Sequence, residues 1–337
     1  MEKMDIIATI GPSLNKKQVL LDAFESGLTI IRINNSHLKF GDIIKEFDLF
    51  EDTLKNNYKV LFDTQGPEIR IGNLLQDIEV IENDNVTFVV EKHQTEKDKL
   101  PIDFKEMLEY IELNDYFYID DGKIMLKIFS KNNSEFTAKV MRGGTLKSRK
   151  GLNFPNQLIK QEILSEQDKI ALNIIAQRNY KIDKLALSFV NDKNDIIDVR
   201  LFLEKIGIKC EVIAKIENMN AVNNFDEILE VSDGIMIARG DLAVEVGYEN
   251  VPYIQKKCLI KAQNAGKYSI VATQILDSME RNSLPTKAEI SDATNALFDG
   301  TRALMLSGET AVGKYPVDSV KILKTILNFY EEQQLVV

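Results

Sequence analysis

Residues 210–241 read CEVIAKIENMNAVNNFDEILEVSDGIMIARGD. Two short apolar runs, Cys210 to Ile216 and Gly234 to Ala238, flank a segment of helical period, the signature of a βα unit feeding a parallel sheet. Each run closes on charge, the first with Lys215 and Glu217, the second with Arg239, Gly240 and Asp241. Parallel neighbours bring such ends to one side, so two carboxylates and a lysine converge. That pair of carboxylates suits Mg²⁺, which takes one or two from the protein and leaves its other positions to water and substrate phosphate. The lysine is then free to meet phosphate charge. Taken alone, the motif also reads as a surface ion pair beside a loop, because structural ion pairs are common.

The same alternation extends outward in both directions. Further runs fall at Asp5 to Ile10, Leu28 to Ile33, Lys59 to Phe62, Leu185 to Val190, Tyr268 to Ala272 and Arg302 to Leu306. Eight parallel strands with intervening helices close into a barrel whose reactive groups sit at the C-terminal strand ends. The residues just past the runs fit that rule: Gly11-Pro12, Asn34 with Ser36-His37, Asp63-Thr64, Asn191, Lys215 with Glu217, Arg239-Gly240-Asp241, Thr273-Gln274 and Ser307-Gly308-Glu309-Thr310. Strands that merely end in loops would show scattered turn residues; this rim is richer in charge and hydroxyl.

More than a hundred residues separate the third run from the fourth, too long for a structureless loop. Short strands joined by Asn, Asp and Gly turns fill the gap, at Val86 to Val90, Phe117 to Ile119, Ile124 to Ile128 and Phe136 to Met141. The expected organisation is barrel over 1–70, a small β-rich lid domain over 71–150 inserted after the third strand, and barrel again over 151–337. Ser165 is the expected N-cap where the barrel pattern resumes. Pro316 opens a final helix, after which the expectation is no further domain.

At 337 residues the chain can build a large core, and its net charge of −10 argues against a nucleic-acid binder. Cys210 and Cys258 lack CxxC spacing and read as buried thiols of a reducing compartment. There is no basic and apolar leader and no apolar stretch of bilayer length, so the expectation is a cytoplasmic protein with small-molecule partners and no membrane contact.

Set in order, the motifs Ala8-Thr9-Ile10-Gly11-Pro12, Arg32-Ile33-Asn34-Asn35-Ser36-His37, Asp63-Thr64-Gln65-Gly66-Pro67-Glu68-Ile69-Arg70, Asp120-Asp121-Gly122 and Lys150-Gly151-Leu152-Asn153 strongly resemble pyruvate kinase. The likeness continues through the Lys215 and Asp241 motifs, Ala272-Thr273-Gln274 and Met305-Leu306-Ser307-Gly308-Glu309-Thr310. It implies a TIM (β/α)8 barrel with an inserted β lid, and phosphoryl transfer from phosphoenolpyruvate to ADP in glycolysis, giving pyruvate and ATP. It further implies Mg²⁺ (or Mn²⁺) on Glu217 and Asp241, and K⁺ on Asn34, Ser36, Asp63 and Thr64. By the same resemblance, Lys215, Thr273 and Arg32 are catalytic. Lys215 neutralises the phosphoryl group in flight, and Thr273 delivers a proton through water. Gly240 and Asp241 open a helix whose backbone N–H groups take the substrate carboxylate. Asn34, Asn35, Ser36, His37, Arg70 and Lys150 fall to the nucleotide, with Arg32 and Arg70 on phosphate. Asn34 and Ser36 read equally as ordinary turn residues, and isolated histidines such as His37 and His93 read as structural or exposed.

The chain departs from the family pattern at several places. Gln65 stands for a lysine, Asn191 and Leu284 for arginines, Ala243 for a glycine and Gly247 for a proline. The family's C-terminal domain, with its allosteric site and one oligomer contact, is expected to be missing, so any dimer would form through the barrel helices. Two other readings compete: a Mg²⁺-dependent lyase or aldolase of a related barrel that stabilises pyruvate enolate, and a catalytically silent regulatory relative.

Overall fold

The computed structural model describes residues 4–37, 40–55, 57–155, 157, 159 and 161–334; for His37, Phe40, Gln333 and Gln334 it describes the backbone alone. Eight parallel strands, Asp5–Thr9, Ile30–Asn34, Val60–Asp63, Lys184–Leu187, Glu211–Ile216, Gly234–Ala238, Tyr268–Ala272 and Ala303–Leu306, close into a barrel in chain order. The eighth strand pairs back onto the first, Met305 opposite Ile7. The eight-stranded barrel expected from the sequence is present.

Both faces of these strands are apolar because both are covered. One set of alternating residues, including Ile7, Ile30, Leu61, Ala186, Ile213, Met236 and Ile270, forms a single buried cluster filling the barrel. The opposite set, such as Ile6, Ile31, Phe62, Leu185, Val212 and Ile235, is equally buried beneath the surrounding helices. Ser165 caps the helix Glu166–Arg178 as expected, accepting from Asp168 N at 3.1 Å while the Asp168 carboxylate accepts from Ser165 N at 3.0 Å. Pro316 opens the helix Pro316–Gln334, where its missing N–H costs nothing.

The fourth strand ends at Leu187, short of the expected Val190. Ser188 leaves the ladder because its N–H and hydroxyl are taken by Thr64, at 3.0 and 2.7 Å. Phe189 then turns at φ 60°, which breaks any continuation.

By contacts the chain forms two compact units. One comprises 1–66, 162–239 and 251–337; the other comprises 67–161 together with 240–250. Within the second, a six-stranded sheet runs Leu152–Asn153, Tyr116–Ile119, Ile124–Lys131, Glu135–Arg142, Asn85–Val90 and Lys99–Ile102, beside a two-stranded sheet of Ile78–Val80 and Gly144–Leu146. Its core is largely aliphatic and holds a cluster of phenylalanines. Phe88 stacks on Phe136 with ring centres 5.0 Å apart and meets Phe117 edge-on at 5.4 Å, while Phe117 stacks on Phe154. The unit is not purely β, since Met107–Tyr110 forms a helical turn.

Candidate active site

A strand returns to the same face every second residue, so the position two beyond each member of the buried apolar layer also faces the barrel interior. Ile7 is followed in this way by Thr9, Ile30 by Arg32, Leu61 by Asp63, Ala186 by Ser188, and Ile213 by Lys215 and then Glu217. Register pairs Thr9 with Arg32 and Asp63 with Ala186, which sets these polar groups side by side in the mouth of the barrel.

Asp63 is the centre of the resulting network. Arg32 reaches its Oδ2 with Nε at 2.8 Å and Nη2 at 2.7 Å, and Lys215 Nζ lies 3.1 Å from its Oδ1. Burial by itself pushes the Asp63 carboxyl upward and is the largest single effect. The charges of Lys215 and then Arg32, with their hydrogen bonds, outweigh it and hold the group below its ordinary value. Arg32 Nη1 also donates to Thr9 Oγ1 at 3.0 Å.

Lys215 is not the free cation expected from sequence. Besides Asp63, its Nζ lies 2.8 Å from Glu217 Oε1 and donates to Ser188 Oγ at 2.7 Å. The reason is electrostatic: an ammonium drawn into a buried mouth is stable only among acceptors. Glu217 is fully buried; its Oε2 accepts from Phe189 N at 2.8 Å, and its Oε1 faces the Lys215 ammonium. A carboxylate oxygen keeps a second lone pair beside such a contact, and a hard divalent cation would engage it. Among the described residues no group of three or more His, Cys, Asp or Glu gathers, so any metal here would rely on few protein carboxylates.

The proposed K⁺ oxygens lie along the second and third strand ends. Asn34 Oδ1 accepts from Ser36 N at 3.2 Å, Thr64 O accepts from Ser188 Oγ, and Thr64 Oγ1 accepts from Ser188 N. Carbonyl and carboxylate oxygens each keep a second lone pair, so these contacts leave the set able to coordinate. Asp63 is the constrained member, because two cations already share it. Asn35 points elsewhere, donating to Asp168 Oδ1 at 2.7 Å.

Gly240 and Asp241 sit in the first turn of the helix Arg239–Val246, as expected. Thr273 and Gln274 follow the seventh strand with φ 68° and 54°, two successive left-handed residues, neither of them glycine. Arg70 is paired with Glu68 and donates through Nη1 to Arg149 O at 2.8 Å, leaving Nε buried without a hydrogen bond. Lys150 Nζ lies 2.6 Å from Asp120 Oδ1. The side chain of His37 lies outside the described residues; His93 is exposed, 3.3 Å from Asn73 Nδ2.

Two residues that sequence reasoning missed organise this rim. Ser188 bridges Lys215 and Thr64; its signal was its two-residue spacing from the inward-facing Ala186. Asp168, fully buried, gathers Asn35 Nδ2, Gln65 N at 2.8 Å, Gly66 N at 3.0 Å and the Ser165 hydroxyl at 2.7 Å. Its position three residues after the N-cap marked it only as a helix start.

Two of the departures find local explanations. Asn191 is woven into amides, donating to Phe189 O and accepting from Asn220 and Asn224. Gly247 has φ 85°, which a proline ring locked near −65° could not adopt. Leu284 is 70% exposed. Burial pushes both thiols to about 12, with Cys258 buried and Cys210 only half-buried, so neither is a nucleophile near neutral pH. Among the described residues no helix is long and apolar enough to cross a membrane.

A family model of the pyruvate kinase barrel domain matches residues 1–320. The chain is 38% identical to a pyruvate kinase of Bacillus licheniformis over 98% of its own length and 58% of that protein's. It is 37% identical to those of Thermococcus litoralis and Clostridium perfringens, covering 98% and 97% of this chain and 70% of each relative. It therefore spans little more than half to about two thirds of the relatives' length.

Proposed function

The chain belongs to the pyruvate kinase family, and on that premise we propose that it transfers a phosphoryl group from phosphoenolpyruvate to ADP. A β-phosphate oxygen of ADP forms the new bond to phosphorus as the bond to the enol oxygen breaks. The enolate left behind takes a proton at its methylene carbon to give pyruvate, and ATP is released.

The observation that carries the reading is the ammonium of Lys215, held in the barrel mouth 2.8 Å from the buried Glu217 carboxylate and 3.1 Å from that of Asp63. Phosphoryl transfer is catalysed almost entirely by positioning and charge, and a fixed cation beside a site able to take a divalent ion meets that demand. Glu217 and Asp241 would hold Mg²⁺ or Mn²⁺, whose contribution when bound is to spread the charge of the transferring group. Arg32 contributes a second cation, already oriented by Asp63 and Thr9. Asn34, Ser36, Asp63 and Thr64 would take K⁺, Gly240 and Asp241 the substrate carboxylate, and Thr273 would deliver the proton.

Asn34, Asn35, Ser36, His37, Arg70 and Lys150 would serve the nucleotide, although Asn35 is engaged by Asp168. A lid role for the inserted β unit, a cytoplasmic location and a dimer through the barrel helices belong to the same proposal. The test is a coupled assay with phosphoenolpyruvate, ADP, Mg²⁺ and K⁺. Pyruvate formed in step with ATP supports it. Carbon–carbon cleavage without nucleotide would point to the lyase, and ligand binding without turnover to a silent relative.

A further inference from the structure

The turn after the seventh strand is strained in a specific way. Ala272 is still in the ladder, opposite Ala238 and Met305, yet the next two residues adopt φ 68° and 54°. Positive φ is uncommon for any residue with a side chain, and for a β-branched one such as threonine it is a genuine outlier. Such conformations persist only where the surroundings over-determine them.

One side chain supplies that constraint. Arg239, the first residue past the sixth strand, donates Nε to Thr273 O at 3.2 Å, Nη2 to Thr273 O at 2.6 Å and Nη2 to Gln274 O at 3.0 Å. Successive carbonyls of an extended strand point to opposite sides; two left-handed residues turn them to the same side, where a single guanidinium reaches both. Its remaining Nη1 donates to Asp292 Oδ2 at 2.6 Å, and the arginine side chain is 11% exposed. A planar guanidinium can hold two carbonyls and a carboxylate at once in a fixed geometry, whereas an ammonium is a point charge.

We propose that Arg239, braced by Asp292, is a positioning residue that holds the Thr273–Gln274 turn in its left-handed conformation and thereby sets the Thr273 hydroxyl for proton delivery. The second half rests on the phosphoryl-transfer reading above. Arg239 directly precedes Gly240 and Asp241 in the chain, so the residue that begins the helix carrying those two groups also fixes the turn carrying Thr273. A water held by that hydroxyl gives a proton to the enolate carbon and is itself reprotonated from solvent, and the arginine exchanges none.

The experiment compares Arg239→Gln, Arg239→Lys and Asp292→Asn in the full chain. Crystal structures report φ at 273 and 274, and NMR in D₂O reports exchange of the pyruvate methyl protons alongside steady-state kinetics. In Arg239→Gln the turn should relax to negative φ and methyl exchange should fall about a hundredfold, the scale of positioned acid–base catalysis. The KM for phosphoenolpyruvate should stay within about twofold, because only the proton step is affected. Arg239→Lys should restore little, and Asp292→Asn should fall between and remain foldable if the arginine variants do not. Unchanged φ, parental exchange after the turn relaxes, or a raised KM with parental kcat would each overturn the proposal. A parent chain with no phosphoryl transfer would sink the reaction reading instead, while φ in the variants would still decide whether Arg239 holds the turn.

Discussion

Lys215 Nζ lies 3.1 Å from Asp63 Oδ1, on a carboxylate whose other oxygen is taken by Arg32. One buried anion thus fixes both cations of the barrel mouth. Its neutralisation would take the carboxylate charge from Arg32 and one of those beside Lys215, whose Glu217 partner stays at 2.8 Å, and breaking a buried pair from one side costs about 3–5 kcal/mol. Asp63→Asn is therefore expected to lose roughly that much stability, measured as a shift in urea midpoint near neutral pH. The sign with pH comes from the lowered carboxyl. Its stabilising contribution is present above the unfolded-state carboxylate range and is lost as pH falls through the lower folded value. Acid unfolding of the parent should thus extend below that range, and the variant should lack this part of the transition.

Lys215→Met should lower kcat by about a thousandfold, by analogy with loss of one preorganised stabilising group. Binding of phosphoenolpyruvate should change little, because the lysine acts on charge that develops during transfer. Turnover within a few-fold of the parent, with the variant folded, would remove Lys215 from the chemistry.

Glu217→Gln and Asp241→Asn should each weaken divalent-metal binding, since each removes an anionic ligand from an ion that relies on few. Mn²⁺ titration followed by electron paramagnetic resonance reads this without turnover. Equal affinity in both variants and the parent would mean that the metal sits elsewhere.

Periodicity made most of the barrel legible from sequence. The sixth and seventh strands were readable to the residue, Gly234–Ala238 and Tyr268–Ala272, because each is an apolar run ended by a change of chemistry. The fourth was overextended, since Ser188, Phe189 and Val190 look like strand, while what ends it is a long-range bond from Ser188 to Thr64. The charged residues of the mouth were visible for the same reason as the strands, but their mutual pairing was not. Spacing along a chain says that Lys215 and Asp63 share a rim; only closure of the barrel decides that they touch. Asp168 was hidden for the same reason, since its donors come from two other barrel segments and the cap.

Phosphoryl transfer should require K⁺. The oxygens of Asn34, Ser36, Asp63 and Thr64 form a hard donor set, and Asp63 has its charge already shared by Arg32 and Lys215. A monovalent cation is therefore better matched to it than a second divalent one. Rates in K⁺ and in tetramethylammonium at equal ionic strength should differ by at least about tenfold, an expectation scaled to about 1.4 kcal/mol of transition-state stabilisation. Equal rates would remove the monovalent site from the mechanism.

Glu245 supplies a pH test that does not depend on any assumed reaction. Burial alone pushes its carboxyl up to about 7 from an ordinary 4.5. A folded-state value raised above the unfolded one means that stability is greatest below the unfolded pKa and is lost as pH rises through the folded value. The window therefore runs from about 4.5 to about 7. The loss across it is about 3 kcal/mol at 1.36 kcal/mol per unit, somewhat less in practice because the residue is not wholly buried. Glu245→Gln keeps the shape but cannot ionise. It should match the parent in urea midpoint near pH 4.5 and exceed it increasingly toward pH 8, and parallel midpoints for the two proteins across that range would show that Glu245 ionises in the folded chain without cost.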